Sequence, residues 1–150
     1  MFRLASAAAA LLLTAAAAPA LATMPQSADS KIVLTFETGA RTGMVMVALY
    51  DTARAFDGGA DSEANRAVAR TAIPASGRVV ATFDNLPAGD YAVKAFHDVN
   101  GDGEMNTNPF GMPTEPYAFS NNAVGNMGPA RWDRAHFAVS GETAQTISIR

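Results

Sequence analysis

The chain has 150 residues, no cysteine, 17% charged residues and a formal net charge of −3. That length fits one domain and leaves little room for a second, and the acidic balance excludes a strongly basic nucleic-acid binder, which would have to neutralise a run of phosphates. Without cysteine there is no disulfide framework, no thiolate metal site, no cysteine nucleophile and no lipid-modified N-terminal cysteine.

The apolar fraction of 49% is concentrated at the start, where residues 1–22 read as an export signal. Arg3 supplies a positive charge, Ala7 to Ala18 form an apolar run broken only by Thr14, and Pro19 ends it. Ala20-Leu21-Ala22 then has the small-x-small form of a cleavage site. A membrane span needs ~20 apolar residues, so this run is too short and wrongly flanked for an anchor. The expectation is cleavage near Ala22 and export to the periplasm or the exterior, with no membrane span in the mature protein. Thr23 to Ser30 is polar, contains Pro25 and reads as a flexible lead-in to one domain over 31–150.

From there the chain alternates with period two, the mark of half-buried strands. Ile32, Leu34 and Phe36 share one face, whereas Met44 to Tyr50 is apolar throughout and reads as a strand covered on both sides. Asp51 to Asn65 is a Gly/Ala/Asp-rich connection with room for one helical turn, and Ala67 to Ile73 is a weaker strand stopped by Pro74. Val79, Ala81 and Phe83 mark the next strand; Tyr91, Val93, Ala95 and His97 share the inner face of another, opposite Lys94 and Asp98. Ala135, Phe137 and Val139 form one late pattern, with His136 on its solvent side, and Ile147 and Ile149 the last. About seven short strands with turns between them predict an all-β fold, an antiparallel β-sandwich. Its expected core is Ile32, Leu34, Phe36, Val47, Leu49, Phe83, Tyr91, Val93, Phe137, Val139, Ile147 and Ile149.

The segment Phe83-Asp84-Asn85-Leu86-Pro87-Ala88-Gly89-Asp90-Tyr91 resembles the F-x-x-L-x-x-G-x-Y corner of prealbumin-like and Cna-B-like sandwiches, of immunoglobulin-like type. More closely, GMVMVALYD, LPAGDYAVKAFHDVNGDGEMNTNPFG and MPTEPYAFSNN resemble the uncharacterised secreted bacterial family called domain of unknown function 2141, from about Ile32 to the C-terminus. That resemblance implies a secreted β-sandwich and carries no activity with it.

Two connections hold the candidate sites. Asp98, Asn100 and Asp102 alternate ahead of Gly103, as in the first half of an EF-hand loop, where closely spaced oxygens wrap a hard cation. With Glu104 and Asn106 they form a candidate Ca2+ site. The loop departs from the EF-hand in two ways: Pro109 stands where the bidentate Glu would be, and a strand precedes it. Without an ion, Asn100-Gly101 makes a good turn by itself.

The second connection, Phe110 to Asn122, is long, aromatic and rich in proline. Phe110, Tyr117 and Phe119 with Asn121 and Asn122 have the composition of a carbohydrate or peptide groove, and equally that of a lid whose aromatics close one end of the sandwich. His97 adjoins the acidic loop and is a ligand candidate, or a buried histidine that orients the loop. Two histidines in separate strands exclude a three-histidine zinc site. Trp132 reads as packing at the sandwich edge.

Ser120 lacks a nucleophile-elbow setting and the acids outside 98–104 are scattered, so no catalytic residue is assigned. The resulting expectation is a non-catalytic exported module that binds an extracytoplasmic protein or glycan through its end loops. A structural subunit of an envelope assembly is the alternative, and a small hydrolase the less supported one.

Overall fold

The computed structural model describes residues 29–58 and 66–150. The export signal, most of the lead-in and the end of the Asp51–Asn65 connection lie outside the described residues. Among those described, the strands are β1 (Ser30–Glu37), β2 (Met44–Tyr50), β3 (Ala69–Pro74), β4 (Arg78–Leu86), β5 (Gly89–Asp98), β6 (Tyr117–Phe119), β7 (Phe137–Val139) and β8 (Glu142–Ser148). Helix α1 (Ala53–Asp57) follows β2, a 3-10 turn over Ser120–Asn122 follows β6, and helix α2 (Trp132–Ala135) precedes β7.

The strands make two sheets, a smaller one ordered β4-β1-β8 and a larger one ordered β3-β2-β5-β6. Strand β7 also pairs with β5, at its start, so β5 carries two short partners in succession along one edge. The inward residues meet between the sheets: Ile32, Leu34 and Phe36 from β1 pack in one cluster with Val47 and Leu49 from β2 and Val93 from β5. This is an all-β sandwich. The expected core residues are all buried except Phe137, which is partly buried against the same cluster.

Four local expectations change. Strand β1 begins at Ser30, whose hydroxyl accepts from the Gly141 backbone N–H at 3.1 Å, so the sheet starts inside the supposed lead-in. Strand β3 begins at Ala69, two residues later than its alternation indicates. The pattern around Ala135 is helical up to that residue, and β7 starts only at Phe137; a few residues that alternate in polarity satisfy either period, and packing on α1 decides it. Finally, β8 runs parallel to β1 while every other pair is antiparallel. Alternation fixes which face is buried and carries no information on strand direction.

The corner between β4 and β5 is closed by the Tyr91 hydroxyl, which donates to the Pro87 carbonyl at 2.8 Å, with Asn85 in the left-handed region at φ 57°. Burial, reinforced by the Asp51 carboxylate, raises the Tyr91 pKa.

A second apolar cluster lies on the outer side of the larger sheet, beneath the two helices. Phe56 on α1 is its centre and meets Tyr50, Phe119 and Trp132 edge-on at centroid distances of 5.6, 6.1 and 6.1 Å. The two helices are tied by Asp57, which accepts from the Trp132 backbone N–H at 2.9 Å and pairs with Arg131 at 3.3 Å. A helix of this length is not stable alone, and it is this packing that holds both.

Candidate functional site

The long connection between β5 and β6 begins with the acidic loop. Asp98, the last residue of β5, is buried, and its two carboxylate oxygens accept from the backbone N–H groups of Gly101 and Gly103 at 2.6 and 2.8 Å. Asn100 and Asn106 donate side-chain N–H groups to Asp102 at 2.8 and 3.0 Å, and Asp102 also accepts from the Glu104 N–H at 2.9 Å. These three donors, the Asn106 amide foremost, lower the Asp102 pKa. The negative charges of Asp98 and Asp102 are thus met by N–H donors of the loop itself.

Glu115 holds the far end. It is buried, and its carboxylate accepts from the Val99 and Asn106 N–H groups at 2.9 and 3.1 Å. Sequence reasoning passed over this residue because its partners are backbone groups up to 16 positions away. Between the two acids, residues 106–114 form a narrow hairpin with a Thr107–Pro113 bridge and Asn108 capping its tip.

Held in this way, the connection folds back over the outer face of the larger sheet. Between them lies a groove of about 1050 Å³. Its floor is set by strand register. One row across the sheet reads Arg70, Ala48, Lys94, Phe119 on β3, β2, β5 and β6; the next reads Ala72, Met46, Phe96, Tyr117. Met105, Met112 and Pro113 from the connection, with Met127 from the stretch before α2, make the opposite wall. A mostly apolar cleft with a few convergent polar groups is the usual form of a small-molecule site. The apolar outer positions of β2 are the sequence signal for it, since a strand apolar on both faces must be covered on both.

Lys94 is the half-buried charged group of the groove, with the exposed Arg70 beside it in the same row. The Lys94 ammonium lies 5.1 Å from the Tyr50 ring centroid and 4.8 Å from that of Phe56. Partial burial holds its pKa below the ordinary lysine range, the Asp57 charge opposing and the Arg70 charge reinforcing the shift. Burial likewise raises the Tyr50 phenol, with Arg70 acting against it.

The sequence-chosen residues separate on this frame. Tyr117 and Phe119 line the groove with their rings edge-on at 5.8 Å. Phe110 stands at the hairpin tip, 90% exposed and outside the groove lining. His97 is buried on the inner side of β5, its Nε2 2.6 Å from the Thr42 carbonyl. Asn121 donates to the carbonyls of Arg134, Ala135 and His136, and Asn122 donates to the Thr146 carbonyl and accepts from the Ser148 N–H, so both bind backbone. His136 is not on a strand's solvent face; it follows α2 and stacks on Trp132 at 5.5 Å. Ser120, Lys94, Met46 and Phe96 were not among the sequence candidates.

Among the described residues no helix is long and apolar enough to cross a membrane. No curated protein and no solved structure matches the chain at a significant level. Residues 37–148 match the family model described as an uncharacterized protein conserved in bacteria, DUF2141, and the chain belongs to that family.

Proposed function

We propose that this protein is an exported, non-catalytic binding module that takes its ligand in the groove between the outer face of the larger sheet and the connection that folds over it. One observation carries the reading: a cleft of about 1050 Å³ is floored by Met46 and Phe96 and flanked by Tyr117 and Phe119, on a sheet whose other face is already the core. Ser120 is not poised as a nucleophile: it is fully buried, and its hydroxyl accepts from the Val93 N–H and donates to the Ala135 carbonyl. Export rests on the character of residues 1–22.

A neutral, polarity-sensitive dye such as Nile red tests the groove. Its emission rises in the presence of the native protein and falls back with Phe96→Gln, while Phe110→Gln at the exposed hairpin tip leaves it unchanged. Equal emission from both variants, or no rise at all, refutes the reading.

Calcium belongs to the same proposal, bound at the acidic loop by Asp98, Asn100, Asp102, Glu104 and Asn106. The side-chain oxygens of Asp98, Asn100, Asp102 and Asn106 already accept N–H donors, so the ion would add to a formed loop. Affinities of exposed, EF-hand-like oxygen sites support an effect at about 5 mM calcium chloride, where the melting temperature rises by mass action above that in chelator. Superimposable melts remove the ion from the proposal.

A further inference from the structure

The groove's floor has a polarity that its volume alone does not explain. Lys94 and Arg70 stand in one cross-strand row with Ala48 between them. Neighbouring strands are about 4.8 Å apart, so the two cationic residues start roughly 10 Å apart, with only a methyl group separating them. The next row, Ala72, Met46, Phe96 and Tyr117, bears no charge, and the connection's wall offers methionine and proline. Cationic at one end and apolar along its length, the cleft is asymmetric in an otherwise acidic chain.

Among the described residues neither Lys94 nor Arg70 makes an ion pair, and Asp57, the acid whose charge reaches Lys94, is already engaged by Arg131 and the Trp132 N–H. The ring faces of Tyr50 and Phe56 compensate only in part, since such contacts are worth about 0.5–2 kcal/mol. A neutral apolar occupant would strip water from the ammonium and return nothing. A cation would meet two like charges. A single anionic head above Ala48 meets both side chains and leaves the tail to the aromatic and methionine row.

Resting on the groove reading above, we propose that the ligand is an elongated apolar molecule with one anionic head, in chemical class a medium-chain carboxylate, its head held by Lys94 and Arg70 and its tail along Met46 and Phe96. Methionine suits this role, because its flexible thioether adapts to tails of different shape.

The test is calorimetric titration of the protein, purified from cells producing the full chain, with decanoate, decan-1-ol and decyltrimethylammonium. Decanoate binds about tenfold tighter than decanol, the increment expected of one charge-assisted contact, and the ammonium compound binds weakest. Lys94→Met cuts the preference for decanoate, Lys94→Met combined with Arg70→Gln brings decanoate down to the level of decanol, and Lys94→Arg keeps the preference. Lys94→Gln serves if the methionine variant fails to fold. Equal binding of decanoate and decanol overturns the anionic head while leaving the groove standing. A preference for decanoate left undiminished by loss of Lys94 overturns its assignment, and absence of binding by all three compounds overturns the groove reading itself.

Discussion

Asp98→Ala is expected to lower the melting temperature by about 10 °C and to open the stretch after β5 to proteolysis. The Asp98 carboxylate is 1% exposed and accepts two backbone N–H bonds, from Gly101 and Gly103. Hydrogen bonds to a charged acceptor are each worth about 1.5–3 kcal/mol. Both glycines are exposed and water recovers part of the loss, so the net cost is about 3 kcal/mol, which in a domain of this size gives the stated shift. Asp98→Asn keeps one acceptor oxygen but turns an amide N–H toward a donor, and recovers less than half. The measurement is a pair of melts, with and without chelator. If the carboxylate served only an ion, chelated wild type and Asp98→Ala would melt together; if the backbone bonds hold the loop, the variant melts lower in both conditions. The same loop carries Met105 to the groove wall, so the variant also loses Nile red emission.

Ser120→Ala is expected to cost about 2 kcal/mol, a large effect for one oxygen atom. The reason lies along the outer edge of β5. Strand β7 covers Gly89–Tyr91 and β6 covers Lys94–Phe96, which leaves an interruption between them. The Val93 N–H is satisfied there by the Ser120 hydroxyl at 2.8 Å, and that hydroxyl donates in turn to the Ala135 carbonyl at 2.6 Å. Removing it strands the buried Val93 donor, at about 1–3 kcal/mol, in a space that the alanine methyl keeps water out of, while the Ala135 carbonyl loses one of two donors and keeps the Asn121 amide at 3.2 Å. Denaturant midpoints measure the loss, and the Val93 amide exchanges with solvent much faster in the variant. An unchanged midpoint would mean that the Val93 N–H finds another partner.

Both effects sit at the ends of one design. Gly43, at φ 81°, lies so close to the Asp98 carbonyl that a Cβ would collide with it; the turn into β2 and the exit of β5 are therefore fitted together. At the other end, Asn121 and Asn122 pin the 3-10 turn to α2 and β8 through backbone bonds. The connection that roofs the groove is anchored at both ends, while its Met112, and Met127 from the stretch before α2, remain largely exposed at the rim.

Much of the framework was legible in the chain. Alternation placed β1, β4 and β5 with their inner faces correct, because one buried face imposes a period of two on any strand that keeps it. The apolar outer positions of β2 announced a covered second face, but the aromatics of Phe110 to Asn122 read as a groove or as a lid on one end of the sandwich, and only the fold lays that connection over the sheet face. Tyr117 and Phe119 were identified as aromatics of interest from composition alone. Lys94 was misplaced as a solvent-facing charge, since a lysine opposite a core face looks the same whether water or a folded-back loop lies above it.

The amino-acid sequence by itself determined the all-β class, the identity of the core and the positions of the irregular connections, because side-chain burial in strands is a local property written at every second residue. Only the tertiary structure decided the parallel pairing of β8 with β1, the placement of Ser120 and Glu115 on distant backbone groups, and the row that aligns Arg70 with Lys94 across Ala48. Each of these depends on the register between strands far apart in the chain, and register is chosen by the packing of the whole domain rather than by any segment of it.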